Sequence, residues 1–237
     1  MNNAINILSL IDDRSRDLYE LITSKFEVAF ESSFNGEYSV YRIDKQMTFY
    51  IPIDHYCVDS FSHELLHGYI DCFEIYLGSN FKNTMWQSNI LRILFDNQLA
   101  EHLTNSISHT LMLPLYLDRG FDRTKFLLDY HTFKAEAGFI NRIGKNYKQG
   151  NRYNLLAVRN FIGKFFAFKC DPNPTFDYED ELGQLRKIDL QLYRIVENYF
   201  LQWKDYDFTD DEFSDYRIIN SDFYANLKPW MNGKKFI

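Results

Sequence analysis

The sequence predicts an α+β, predominantly helical fold, with a small β-hairpin or sheet ahead of a helix that carries two histidines, and a helical C-terminal region. Three observations predict it. Apolar residues recur at helical spacing along most of the chain, β-rich runs are confined to residues 38–43 and 47–53, and the segment after them reads His63-Glu64-Leu65-Leu66-His67 within a helical apolar pattern.

Taken in order, residues 12–32 place Leu18, Leu21, Ile22, Phe26 and Phe30 at helical spacing and read as one amphipathic helix closing a side of the core. The two β-rich runs, separated by Asp44-Lys45-Gln46, form a hairpin ending near Pro52. Residues 47–51 are the candidate for a sheet edge that would hold an extended peptide by main-chain hydrogen bonds. A helix over about 60–77 follows: Asp59, Ser60 and Ser62 are candidate N-caps, Phe61, Leu65, Leu66, Tyr69, Ile70 and Phe73 form its stripe, and Gly78 is the stop. Residues 83–114 read as mostly helix, starting near Thr84 or Ser88, with Leu99, Leu103, Ile107 and Leu111 as a buried row.

Beyond Pro114, Asp122 caps a short helix to Tyr130, and helices are expected over 134–146 and 154–169, the latter with Phe161, Phe165 and Phe168 inward. The most basic stretch, 141–154, holds Gly144 and Gly150 and reads as a solvated loop. Asp171-Pro172-Asn173-Pro174 is the clearest linker. A single long helix is expected over 178–205, and Thr209-Asp210-Asp211-Glu212 looks like the capped start of a last helix ending near Leu227. The domain expectation is a core over 1–130 and a helical region over 131–237, either separate from it or packed on it as one domain.

A chain of 237 residues with 46% hydrophobic and 18% aromatic content can bury a substantial core. Its net charge of −7 argues against generic nucleic-acid binding, which needs Lys and Arg to neutralise phosphates. Three cysteines at scattered spacings, Cys57, Cys72 and Cys170, suggest neither a disulfide framework nor a thiolate metal site. The first residues lack a signal-peptide pattern and no uninterrupted apolar stretch of about 18 residues occurs, so a cytoplasmic protein with no membrane association is expected.

The chemistry sits in His63-Glu64-Leu65-Leu66-His67. Residues four apart stack on one helix face, so His63 and His67 can share one ion. Glu64 is turned off the ion and is the candidate general base toward a metal-bound water, whose pKa falls to about 7 in such sites. Two histidines from one helix need a third protein ligand. Glu101 is the choice, since 33 residues separate it from His67 and leave room for a loop and a returning helix. Asp71 is too close in sequence to reach around the ion and is a candidate to orient a ligand from behind. Asn105, one turn after Glu101, is placed for the same task. An oxyanion donor is sought among His109, Tyr116, Tyr130 and His131, with nothing in the sequence to choose between them.

Glu101-His102-Leu103-Thr104-Asn105-Ser106-Ile107 followed by Leu111-Met112-Leu113-Pro114 resembles the second motif of the ImmA/IrrE-type zinc metallopeptidases. The Glu, Asn and Pro keep their mutual spacings, whereas Thr104, Ser106 and Ile107 depart from the usual residues. The resemblance covers about residues 38–114. It implies a zincin-like, gluzincin-type core in which Zn2+ is held by His63, His67 and Glu101, with Glu64 as catalytic base in a metallopeptidase that acts on a protein or peptide. The alternative is a zinc-containing regulatory or interaction protein whose C-terminal helices sense a protein partner, with narrow or no proteolysis.

Overall fold

The computed structural model describes residues 7–54, 56–209 and 215–237. It is 58% helical with two small three-stranded sheets, an α+β and predominantly helical class. Along the chain come α1 (Arg16–Lys25), β1 (Glu27–Ser32), β2 (Ser39–Ile43), β3 (Gln46–Ile51), α2 (Val58–Asp71), α3 (Leu77–Met85), α4 (Asn89–Leu94) and α5 (Asn97–Asp118). Then follow α6 (Phe139–Asn146), β4 (Lys148–Gln149), β5 (Arg152–Tyr153), α7 (Leu155–Lys169), α8 (Glu179–Ile188), α9 (Leu190–Lys204), α10 (Tyr216–Met231) and β6 (Lys235–Phe236). No helix among the described residues is long and apolar enough to cross a membrane.

Contacts divide the chain into two compact units: Met1–Ile75 with Met112–Tyr130, and Tyr76–Leu111 with His131–Ile237. The division falls inside α5, between Leu111 and Met112, so one continuous helix belongs to both.

In the first unit, β2 and β3 form the expected antiparallel hairpin, turned at Asp44, whose φ of 51° a short polar residue tolerates. The residues after α1 differ from expectation. The helix ends at Lys25, and Glu27–Ser32 pairs parallel with β3, giving the order β1-β3-β2. Ile22, Phe26 and Phe30 are four apart and mimic a helix, but Val28 and Phe30 also alternate as in a strand, and pairing with β3 decides between the two periods. Residues 47–51 are therefore central, and the sheet's outer strands are β1 and β2. The expectation that residues 47–51 form an edge for a peptide is thus overturned, because both sides of β3 are already paired.

Met47, Phe49 and Ile51 point inward from β3 and are fully buried. Against them α2 buries Phe61, Leu65 and Leu66, each worth about 1.5–3 kcal/mol of transfer free energy. Gly68 sets how near α2 lies, since a Cβ there would stand 2.8 Å from Met47 Sδ and 3.2 Å from Ile22 Cδ1. Helix α2 ends earlier than expected because Glu74 takes φ 59° and reverses the chain; Gly78, the expected stop, lies within α3.

The second unit is built on aromatic packing. Tyr199 and Phe223 stack at 4.0 Å, and Phe81 and Phe95 complete that cluster. The expected helix over 83–114 is interrupted: Asp96 accepts from Leu99 N–H at 2.9 Å and starts α5 afresh. The expected long helix over 178–205 is likewise two, because Asp189 leaves helical geometry and caps α9 through Leu192 N–H. The expected cap at Thr209-Asp210-Asp211-Glu212 runs into 210–214, outside the described residues, and α10 starts from Asp215. The 141–154 stretch contains the β4–β5 hairpin, with β6 added parallel to β5.

Candidate metal centre

Helix α2 places the motif as its spacing requires. His63 and His67 stand one turn apart with ring centroids at 5.0 Å, and His109 of α5 joins them. One ligating atom from each of these three residues lies within 4.8 Å of the others, and no other such group of three or more occurs among the described residues. His63 and His109 are buried, while His67 keeps a small accessible surface. A zinc ion at 2.0–2.1 Å from three nitrogens would hold them about 3.3 Å apart. Three nitrogens within 4.8 Å of one another fit such a donor set in kind and in approximate spacing.

Burial holds His67 neutral, lowering its pKa to about 4. Metal binding needs neutral imidazole, so His67 is already in its binding form at pH 7. Glu64 is nearly enclosed, with its Oε1 3.9 Å from His63 Nε2. Burial raises its pKa to about 8, against which the backbone N–H of Val40, donating to the carboxylate, acts in the opposite direction. A cation beside it favours the ionised form. Three imidazoles, as neutral ligands, would leave the ion's charge undiminished, and Glu64 stands beside the first of them.

The other residues singled out from the sequence fall elsewhere. Glu101 does not join the histidines: its carboxylate accepts from Lys82 Nζ at 2.9 Å and its side chain is 69% exposed. The cause is helical geometry. Glu101 and His109 are two rungs apart on α5, about 12 Å along the axis at 1.5 Å per residue, so one ion can meet only one of them. Asn105, on the rung between, is exposed. Asp71 turns to the sheet and accepts from Arg42 Nε at 2.7 Å, tying the end of α2 to β2. Burial raises its pKa, partly offset by that guanidinium. Tyr116 donates to the Asp122 carbonyl at 3.1 Å, and His131 is exposed.

The sequence offers His109 as one of four candidate oxyanion donors, whereas the structure sets it beside His63 and His67. The signal that marks it is a second apolar row on α5, since Met112 and Tyr116, three and seven residues on, are both fully buried. A histidine heading a buried row faces inward, whereas Glu101 lies on the face that also exposes His102 and Asn105. Comparison with known proteins gives no match among family models, curated proteins or solved structures.

Proposed function

We propose that this chain is a metal-dependent hydrolase, with zinc as the ion and a peptide bond as the target, in which His63, His67 and His109 are the ligands and Glu64 is the catalytic base. The observation that carries the proposal is the convergence of the three histidines beside a buried carboxylate. Three imidazoles suit zinc among the divalent ions and match a catalytic site of three protein ligands with one position left open. Such an ion, once bound, supplies Lewis acidity and activates water near neutral pH. Glu64 accepts the proton of the attacking water and delivers it to the leaving nitrogen, while the Val40 N–H keeps its carboxylate oriented. The choice of a peptide as substrate rests on the resemblance to the ImmA/IrrE-type metallopeptidases, with His109 taking the ligand role there expected of Glu101.

The test is hydrolysis of a peptide mixture by the zinc-loaded protein, followed by mass spectrometry, for wild type and Glu64→Gln at equal zinc content. Cleavage by wild type, reduced at least about 100-fold in the variant, is expected of a lost general base. Equal rates in the two proteins would remove Glu64 from the reaction.

A further inference from the structure

Helix α2 presents Asp59, His63 and His67 on successive turns of one face. The segment that follows α5, residues 119–126, crosses the first two of these turns. Its backbone is fixed at the first: Asp59 accepts from the Asp122 N–H at 2.7 Å and from Arg14 Nη2 at 2.9 Å. Arg14 also donates to the Gly120 carbonyl at 3.1 Å, and its guanidinium lies 4.3 Å from the Phe121 ring centre. Arg119 closes the same clasp, donating to the Arg14 carbonyl at 2.9 Å and, through both terminal nitrogens, to Asp17 at 2.8 Å. At the second turn the segment sets Phe126 against His63, ring centres 4.7 Å apart and planes at 68°. Phe126 is itself buried and backed by Tyr116 at 5.0 Å and 66°.

We infer that Phe126 is a positioning residue for the metal centre, holding the His63 ring in its ligating orientation, and that the Arg14–Asp59–Asp122 clasp is what keeps it there. The inference rests on the proposed ligand role of His63. Such a device is economical because the anchor and the ligand are four residues apart on one helix, so a single crossing segment meets both in register. An imidazole held by a neighbouring ring loses little freedom when it takes up an ion; hydrogen-bonded supports that orient a ligand are worth about 10–100-fold in metal affinity, and a ring contact that fixes the same orientation acts in the same sense. No acid or base is moved by Phe126, so its removal acts on binding and not on proton transfer.

The experiment is a zinc titration against a chromophoric chelator on the full chain, for wild type, Phe126→Ala, Phe126→Leu and Leu18→Ala, with urea unfolding of each metal-free protein alongside. Leu18, fully buried on α1, is a core truncation outside the ring pair. Expected are zinc affinities lowered about 10-fold or more in Phe126→Ala, lowered less in the space-filling Phe126→Leu, and unchanged in Leu18→Ala despite its lower urea midpoint. Cobalt substitution gives a second readout, an altered visible spectrum in Phe126→Ala alone. Wild-type affinity in a folded Phe126→Ala, or an equal loss in Leu18→Ala, would overturn the positioning role while leaving the metal site standing. No zinc bound by wild type would overturn the metal site and this inference together.

Discussion

Glu64 and His67 are ionisable groups that burial pushes in opposite directions, and the metal-free protein should register both. The folded pKa of His67 is about 4 against an ordinary 6.5, so between those values the unfolded chain binds the extra proton and stability rises with pH. The folded pKa of Glu64 is about 8 against 4.5, so from 4.5 to 8 the unfolded chain binds fewer protons and stability falls with pH. The two slopes oppose each other up to pH 6.5, and above that only the Glu64 slope persists. Urea midpoints of the metal-free protein should therefore decline from pH 6.5 to 8 and level off beyond, and Glu64→Gln should abolish the decline. A wild-type midpoint that rises across that window would contradict the burial of this carboxylate. The placement of His63 and His67 was legible in the sequence because it follows from spacing within one helix. That of His109 was less so, since spacing along one helix cannot say which residue of another will lie beside it.

Elements were legible where local period and partner agreed. The β2–β3 hairpin and helix α7 are of this kind: an Asp turn and an Asn154 cap stand where the apolar pattern changes. They were hidden where a tertiary demand overrode an unbroken period. Between α8 and α9 the apolar row continues, yet Asp189 leaves the helix because its carboxylate is in use on both sides. Oδ1 caps Leu192 N–H at 2.9 Å, and Oδ2 accepts from Tyr147 Oη and Trp230 Nε1, both at 3.0 Å. Its acceptance from Tyr147 accompanies a phenol pushed upward in pKa, first by burial and then by the neighbouring carboxylate. Asp189→Ala would remove a cap and strand two largely buried donors, costing about 2–4 kcal/mol in urea unfolding. Asp189→Asn, which keeps one acceptor oxygen, should cost less. A loss below about 0.5 kcal/mol for Asp189→Ala would mean that the helix break has another cause.

On the scale of the whole molecule, helical content was legible because period 3.6 dominates the chain, but the partition into units was not. Residues 76–111 group with 131–237, and 112–130 return to the first unit, an arrangement set by contacts between distant segments. Helix α5 belongs to both units and carries His109 one turn before the division, so the third histidine of the cluster comes from a segment that no local pattern links to α2. In the proposed site His109, and not Glu101, completes the ligand set with His63 and His67. Elemental analysis of the purified chain after zinc loading and removal of excess ion tests it most directly, in wild type, His109→Ala and Glu101→Ala. One zinc per chain in wild type and Glu101→Ala, with most of it lost in His109→Ala, is the predicted result. Zinc retained in His109→Ala but lost in Glu101→Ala, or no zinc held by wild type, would contradict it.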